Sequence, residues 1–234
     1  MPRLAAVLLC SLVPAAGASL AGDEAADPSP FDGGLVTGFL VEPAGKGPFA
    51  GIVFGHWGPG NRTEFLPEAA MYAEAGAVSV LIDYPWVRPD PWRRNQGQGL
   101  KEADKDRDSW RHAVVDLRRA FDLLEARPDV DRARLAYVGH SYGAQWGAIL
   151  TAVDRRMKAP LLFQFARHER SFTEADMNRY YAAASQPKEV RWYSTGHDLN
   201  DLRALADRAA WLGPRIGLQP LRPVFEQRLQ SLGR

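Results

Sequence analysis

A chain of 234 residues is long enough to fold as one α/β domain with a sizeable core. Its 29 lysines and arginines nearly balance its 28 aspartates and glutamates, and 46% of the residues are hydrophobic. This balance argues against nucleic acid or an anionic membrane surface as the main partner, because both bind basic patches.

The N-terminus has the features of a secretory signal peptide. Arg3 supplies a positive charge, residues 4–13 are mostly apolar, and the small residues that follow form the pattern that a signal peptidase needs. The sequence predicts a signal peptide over residues 1–21, cleaved after Ala18 or Ala21, and a periplasmic or secreted protein. The apolar run is too short to span a membrane comfortably, and no later segment approaches that length. The alternative is a hydrophobic N-terminus that stays in the cytosol.

The lone cysteine, Cys10, lies within the predicted signal peptide. The mature protein would therefore have no disulfide, no cysteine nucleophile and no cysteine-ligated metal. Residues 22–34 are acidic, small and proline-containing, which is typical of a flexible leader. No internal repeat or second linker follows, so we expect a single domain over residues 35–234.

Short apolar runs alternate with helical patterns along the rest of the chain. Strands are predicted at residues 35–41, 51–54, 77–82, 134–138, 161–166 and 190–193. Helices are predicted at residues 67–75, 108–127, 144–153, 174–185, 198–212 and 224–232. Strands separated by helices indicate a three-layer α/β/α sandwich with a mostly parallel sheet. In such a sheet, functional residues are expected at the carboxyl ends of the strands.

The turn Gly139-His140-Ser141-Tyr142-Gly143 joins a predicted strand directly to an apolar predicted helix. A serine in this position stands clear of the sheet, where a base can reach its hydroxyl group. The helix N-terminus and the amide of Tyr142 can then stabilise an oxyanion. Ser141 is therefore the candidate nucleophile, and the alternative is a serine that only caps the helix.

A nucleophilic serine needs a base, and the chain has five histidines, His56, His112, His140, His168 and His197. His197 follows the predicted strand 190–193 through a short glycine-containing loop, which is where a base must lie to reach Ser141. His112 falls within a predicted helix, and His140 belongs to the nucleophile turn. His197 is the candidate base, and the alternative is a histidine on a surface loop.

The acid that orients the base should follow Ser141 and precede His197 in the chain, at the end of a strand. Glu169 meets this condition because it comes three residues after the predicted strand 161–166. Its rivals, Glu174 and Asp176, have the positions of first-turn helix residues.

Two loops with aromatic residues follow earlier strands. His56-Trp57-Gly58-Pro59-Gly60 is in the position of a loop that donates a second oxyanion-hole amide, from Trp57 or Gly58, although an ordinary turn would look similar. Trp86 and Trp92 lie in a proline-rich loop after strand 77–82. They could bind an apolar acyl or aromatic group at the rim of the site, or pack over a sheet edge.

These motifs resemble the α/β-hydrolase fold, and more narrowly its compact bacterial members that are similar to dienelactone hydrolases and serine esterases. The matching parts are His56-Trp57-Gly58, the turn at Ser141 and Gly196-His197. Dienelactone hydrolases have a cysteine where Ser141 stands here, so the resemblance implies hydrolysis of esters or related acyl bonds in general. It also implies a small-molecule acyl substrate and no cofactor or metal.

The chain departs from the family in the stretch after Ser141. Family members usually have an aspartate as the acid and place two strands, often with a cap, before it. Ser141 and Glu169 are only 28 positions apart, which leaves room for one helix and one strand. We therefore expect a fold that lacks one strand and the cap and that has an open site. We also expect strand 161–166 to lie beside the elbow strand, which is the strand that leads into the turn (the elbow) at Ser141. Two alternatives remain: a peptidase of the prolyl-oligopeptidase type, and an inactive hydrolase that serves as a binding protein.

Overall fold

A computed structural model describes residues 5–8, 19–21, 35–94, 103–157 and 159–221. Within these residues, eight strands form one sheet with helices on both faces, which confirms the predicted three-layer α/β/α sandwich. The helix predicted at 224–232 and the leader predicted at 22–34 lie outside the described residues. No helix of the described segments is long and apolar enough to cross a bilayer.

The strands and helices alternate through most of the chain. The strands are β1 (Ala5–Leu8), β2 (Ser19–Ala21), β3 (Gly38–Glu42), β4 (Phe49–Gly55), β5 (Ala77–Ile82), β6 (Val130–Gly139), β7 (Leu161–Ala166) and β8 (Lys188–Tyr193). The helices are α1 (Leu66–Glu74), α2 (Ala103–Ala126), α3 (Tyr142–Val153), α4 (Glu174–Ala183) and α5 (Leu202–Leu212).

The strands lie side by side in the order β2-β3-β5-β4-β6-β1-β7-β8. The β2–β3 and β3–β5 pairs are antiparallel, and every other neighbouring pair is parallel. The sheet is therefore mostly parallel, as predicted, and its parallel strands bring their carboxyl ends to one edge.

Both faces of the central sheet are buried, which explains the continuous apolar runs in the sequence. In β4, Ile52 and Phe54 point to a core shared with α1 and α5, whereas Val53 points to a second core shared with α2 and α3. Alternate residues of one strand thus serve two cores, because successive side chains leave a strand on opposite faces.

The expectation that strand 161–166 lies beside the elbow strand is wrong. The N-terminal strand β1 lies between β6 and β7 and is parallel to both, with Val7 opposite Val138 on one side and Leu162 on the other. After the elbow, the chain supplies only one strand before the acid, as predicted. The neighbouring position in the sheet is filled by a segment from far away in the sequence, which pairs backbone groups of β6 and β7 that would otherwise lack partners.

The predicted helix 198–212 begins four residues later in the structure, at Leu202. Leu199 has a φ of +44°, which is incompatible with a helix. The side chain of Asp201 accepts a hydrogen bond from the amide of Arg203 and caps the helix there. The four residues before the cap form the loop that carries His197.

Candidate active site

Ser141 occupies a sharp turn between β6 and α3. Its φ of +51° and ψ of −109° fall outside the regions that non-glycine residues favour, at a cost of about 1–3 kcal/mol. A Cβ atom on Gly143 would lie 2.0 Å from the carbonyl oxygen of Gly55, and one on Gly139 would lie 2.6 Å from the backbone of Gly143. The two glycines are therefore required for the close approach of α3 to the sheet.

The three predicted triad residues lie within hydrogen-bonding distance of one another. The Nε2 atom of His197 is 3.0 Å from Ser141 Oγ, and its Nδ1 atom is 2.6 Å from Glu169 Oε2. With the proton on Nδ1 donated to the carboxylate, Nε2 can accept the serine proton. The shortened stretch after Ser141 therefore does not keep Glu169 away from His197.

The loop that carries Glu169 and the loop that carries His197 lie side by side because they continue the pairing of β7 with β8. Beyond the strand ends, the amide of Arg167 donates to the carbonyl of Tyr193 at 2.8 Å. The amide of His168 donates to the carbonyl of Thr195 at 3.0 Å. Glu169 comes one residue later, so its position relative to the base loop depends on this pair of strands and not on the distance from Ser141 in the chain.

The environment of Glu169 favours its charged form. The side chain is 7% exposed, and burial alone would raise its pKa. Hydrogen bonds from the amide of Ser171 at 2.6 Å, from His197 and from the amide of Arg170 at 2.8 Å outweigh burial, so the pKa of Glu169 lies below its usual value. Glu169 is thus ionised at neutral pH and can stabilise a protonated His197.

The rival carboxylates occupy the first turn of α4, as the sequence predicts. Asp176 forms a capping box with Thr173, in which each side chain binds the backbone amide of the other residue. Glu174 is exposed. Both residues lie at the helix terminus, and the carboxylate that accepts the hydrogen bond from His197 Nδ1 is that of Glu169.

Three of the other histidines have structural partners. His56 is buried, and its Nε2 atom accepts a hydrogen bond from the amide of Tyr84 at 3.1 Å, so the proton lies on Nδ1 and is donated to the carbonyl of Trp57. Burial lowers the pKa of His56, which keeps it neutral. His112 contacts the carbonyl of Asp108 one turn earlier in α2. His168 is exposed and its Nε2 atom lies 3.1 Å from Ser194 Oγ.

The loop after β4 changes the predicted oxyanion hole. The amide of Trp57 already donates to Glu64 Oε2 at 2.6 Å, so it is not available to an oxyanion. Gly58 remains as the candidate, and a Cβ atom at this position would lie 3.3 Å from the ring of Tyr142. Tyr142 is the first residue of α3, where backbone amides have no acceptor within the helix. Gly58 and Tyr142 are thus adjacent at the elbow.

Glu64 was not identified from the sequence. It lies in a polar segment two residues before α1, and nothing in its spacing distinguishes it from an exposed loop carboxylate. In the structure its side chain is only 8% exposed, and it contacts His140 of the nucleophile turn. Only the folded chain brings these two residues together, because they are 76 positions apart.

A cavity of about 150 Å³ opens beside Ser141 and His197. Its apolar walls come mainly from β7, α4 and the loop before α4, through Phe163, Phe165, Phe172, Met177 and Tyr180. Between α3 and β7 the described chain has only a short 3₁₀ turn at Arg155–Met157, so no cap is inserted there, as predicted.

The aromatic loop after β5 does not contribute to this cavity. Trp86 donates through Nε1 to the carbonyl of Gly58 at 2.8 Å and packs edge-on against Tyr142. Trp92 is 37% exposed. The prediction that these tryptophans bind an acyl group at the rim is therefore not supported, because the apolar surface beside Ser141 belongs to β7 and α4. Trp86 instead supports the loop that carries the candidate oxyanion donor.

These features define an α/β-hydrolase fold: the sheet order, the strand-to-helix turn at Ser141 and the loops at the strand ends. As predicted, the chain after the elbow has one strand fewer than is usual before the acid. Solved structures share this fold at low sequence identity. No protein-family model matches the sequence, and no curated protein matches it.

Three solved structures illustrate the similarity. A PEG-bound cold-adapted esterase from an Arctic intertidal metagenomic library aligns over 89% of this chain and 100% of its own, with 16% identity and a TM-score of 0.68. An acetyl xylan esterase from Paenibacillus sp. R4 aligns over 83% and 87%, with 20% identity and a TM-score of 0.68. The alpha/beta hydrolase GrgF from Penicillium sp. sh18 aligns over 84% and 99%, with 12% identity and a TM-score of 0.67.

Proposed function

We propose that this protein is a serine hydrolase that cleaves a carboxylic ester or a related acyl bond through an acyl-enzyme. The observation that carries this proposal is the continuous hydrogen-bonded chain from Glu169 through His197 to Ser141 Oγ, beside an apolar cavity. A buried carboxylate, an imidazole and a strained serine in this order have the geometry that nucleophilic catalysis needs. Two of the structurally similar proteins named above are esterases.

In the acylation step, Ser141 Oγ attacks the carbonyl carbon of the substrate while its proton passes to His197 Nε2. The carbonyl oxygen becomes an oxyanion, which the amides of Tyr142 and Gly58 stabilise. When this intermediate collapses, the bond to the leaving group breaks and the leaving group takes the proton from His197. The products of this step are an alcohol and an ester of Ser141.

In the deacylation step, His197 Nε2 takes a proton from water, and the resulting hydroxide oxygen attacks the acyl carbon. Collapse of the second oxyanion returns the proton to Ser141 Oγ and releases a carboxylic acid. The charged carboxylate of Glu169 stabilises protonated His197 in both steps. The residues account for the whole reaction, so the proposal requires no metal or cofactor.

The cavity favours a compact apolar group on the substrate. Most of the side chains around Ser141 and His197 are aromatic or aliphatic, and a volume of about 150 Å³ holds only a short chain or a single ring. We therefore propose short-chain or aromatic esters as the substrate class. Hydrolysis rates across 4-nitrophenyl esters of increasing acyl length test this, and a preference for long chains would contradict it.

A fluorophosphonate probe tests the nucleophile directly, because it forms a covalent bond only with an activated serine. The purified protein is expected to be labelled, and Ser141→Ala is expected to abolish labelling. Ser185→Ala is the matched control, since Ser185 is exposed and lies after α4. Failure of the wild-type protein to react would argue for the alternative, an inactive hydrolase that serves as a binding protein.

A substrate panel separates an esterase from a peptidase of the prolyl-oligopeptidase type. Short esters and the matching aminoacyl and peptide amides are compared at equal enzyme concentration. We expect the esters to react and the amides to be inert within the same time. Turnover of the amides at a comparable kcat/KM would favour the peptidase.

We also propose that the protein is exported, on the evidence of its N-terminal sequence pattern. Cleavage after Ala18 removes β1, and cleavage after Ala21 removes β2 as well, although both strands belong to the sheet described above. In a Gram-negative host, exported protein is expected in the periplasmic fraction with an N-terminus at Ser19 or Gly22. Protein that keeps Met1 and stays in the cytoplasm would refute export and would identify β1 as a permanent strand.

A further inference from the structure

A buried acid–histidine pair lies directly behind the candidate triad. The side chains of Glu64 and His140 are 8% and 4% exposed, and Glu64 Oε1 is 2.8 Å from His140 Nδ1. The second carboxylate oxygen of Glu64 accepts the amide of Trp57 at 2.6 Å. The second ring nitrogen of His140, Nε2, lies 3.0 Å from the carbonyl oxygen of His197. The pair thus connects the loop after β4, the nucleophile turn and the base loop.

The partners of His140 indicate its protonation state. Its Nδ1 atom contacts a carboxylate and its Nε2 atom contacts a backbone carbonyl, and both of these groups are acceptors. Both contacts are hydrogen bonds at the same time only if the ring carries a proton on each nitrogen. The Glu64 carboxylate then balances the positive charge, which lowers the cost of burying it.

We propose that Glu64 and His140 are positioning residues of the active site, and that the hydrogen bonds of this buried ion pair set the distance between the oxyanion hole and the base. Glu64 holds the loop that ends at Gly58, and protonated His140 holds the backbone of His197. This role rests on the proposed hydrolase function and adds two residues to it. Neither residue contacts the reacting atoms.

The surroundings of His140 allow its charge to affect His197. The ring centroids of His140 and His197 are 5.3 Å apart, and the ring of Trp57 lies nearly parallel to that of His140 at a centroid distance of 6.2 Å. The other charged groups nearby have partners: Glu169 binds His197, and Asp83 binds Arg62 at 3.0 Å. His56 is neutral, as shown above. Loss of the positive charge on His140 alone would therefore leave the Glu64 carboxylate to stabilise protonated His197.

Substitutions to glutamine separate charge from geometry. In Glu64→Gln, the amide oxygen can accept the Trp57 amide and the amide nitrogen can donate to a neutral His140, so every contact survives without charge. In His140→Gln, a donor to the His197 carbonyl can survive, but the carboxylate of Glu64 loses its imidazolium partner. The double variant is again uncharged.

The experiment measures kcat, KM and the pH dependence of kcat/KM on a short ester, per active site counted by fluorophosphonate labelling. We expect His140→Gln to lower kcat about 10- to 100-fold with KM within about threefold, and to shift the acid limb upward by about 0.5 to 1 pH unit. In Glu64→Gln, kcat is expected to fall only a few-fold, and the acid limb of the kcat/KM profile should not shift. In the double variant, the acid limb should return to the wild-type position. In Glu64→Ala, kcat is expected to fall about 10- to 100-fold, because this substitution removes the hydrogen bonds as well as the charge. Glu74→Gln, at the exposed end of α1, is the matched control.

The outcomes that overturn the proposal are distinct. An unchanged kcat and acid limb in His140→Gln would show that the pair only stabilises the fold. If that variant does not fold, an equally small loss of kcat in Glu64→Gln and Glu64→Ala, no more than a few-fold in each, would have the same meaning. Nitrogen NMR of the wild-type histidines does not depend on activity, and a singly protonated His140 at pH 7 would overturn the proposal. Wild-type protein with protonated His140 but no labelling would instead overturn the proposed hydrolase function, and the positioning role with it.

Discussion

The two halves of the sheet differ in how deeply they are buried. In the half that carries the nucleophile, all six residues of β5 and six of the seven residues of β4 are buried. In the half that carries the acid and the base, only one of the six residues of β8 is buried, and α4 has no buried residue. The candidate nucleophile therefore stands next to the most deeply buried strands, whereas the candidate base follows the edge strand β8 and the candidate acid precedes α4, both of which have a thinner cover.

The candidate active site lies across the boundary between these halves. The strands β6 and β7 do not pair with each other, because β1 lies between them. The side-chain contacts that cross the boundary at the site are those of Ser141 and His140 with His197. Outside the site itself, substitutions in the core of the first half should therefore act mainly on folding, and those around the cavity in the second half mainly on chemistry and specificity.

The largest expected effect is on turnover, in the second half. His197→Ala is expected to lower kcat by about 10⁴-fold or more, since Ser141 then has no base. In Glu169→Gln, kcat is expected to fall about 10²- to 10⁴-fold, because the amide keeps a hydrogen bond to His197 but not the charge. Thermal unfolding should change little in either variant. An equally large fall in stability would contradict the division between the halves.

A pair of glycine substitutions tests the rigidity of the two halves. Gly143→Ala is expected to destabilise the protein by at least about 2 to 4 kcal/mol, because its Cβ would meet the carbonyl oxygen of Gly55 at 2.0 Å. Gly196→Ala is the matched control in the base loop, where no atom lies within 4 Å of the added Cβ. Its free energy of unfolding should change by less than about 0.5 kcal/mol. Similar losses in the two variants, measured by urea unfolding, would show that the base loop is as tightly packed as the elbow.

A smaller effect is expected on substrate preference. Met177 lines the cavity from α4, a helix without buried residues, so Met177→Ala should enlarge the cavity at little cost in stability. We expect the ratio of kcat/KM for a longer acyl ester to that for acetate to rise about tenfold. The ratio for Ile149→Ala, on an exposed position of α3, is the control. An unchanged ratio would show that the acyl group does not bind in the part of the cavity lined by Met177.

The smallest expected effect is on the pH dependence of stability, in the first half. Burial would raise the pKa of Asp154, but the Arg156 side chain and amide outweigh it and lower the pKa to about 2. Because the folded-state pKa is depressed, this stabilisation is complete above pH 3.8 and is lost as the pH falls towards 2. We expect this pair to contribute about 1 kcal/mol to the free energy of unfolding, since Arg156 is 22% exposed and solvent screens the pair. Asp154→Asn should flatten the free energy of unfolding over this pH range, and an unchanged slope would contradict the assignment.

Much of the fold and of the candidate triad could be predicted from the sequence, because the relevant signals are local. The bounds of β5 and β7 agree with the predicted strands 77–82 and 161–166, since each is an apolar run with a single polar residue. Ser141 and His197 follow strands directly, so the strand ends place them at the same edge of the sheet. Glu169 could be chosen over its rivals because helix-start residues bind their own helix.

The features that could not be predicted depend on contacts between distant segments. Glu64 has the sequence context of a surface residue, and only its contacts with Trp57 and His140 give it a role. The position of β1 next to Leu162 could not be inferred either, because an apolar N-terminus also fits a signal peptide. The cavity walls on α4 and the loop before it were missed because residues such as Phe172 and Tyr180 are 42% and 41% exposed, and no periodic pattern identifies them.

Part of the cavity wall lies on α4 and on the loop before it, which affects how this protein could change over time. Phe172 and Tyr180 contribute to the cavity beside Ser141 while remaining 42% and 41% exposed. Replacing such residues costs little folding free energy, since they leave no hole in a core. Selection could therefore alter which substrates are accepted, residue by residue, while the elbow and its base are kept. If the proposed hydrolase function holds, exposed residues on and beside a surface helix make specificity easier to evolve than catalysis.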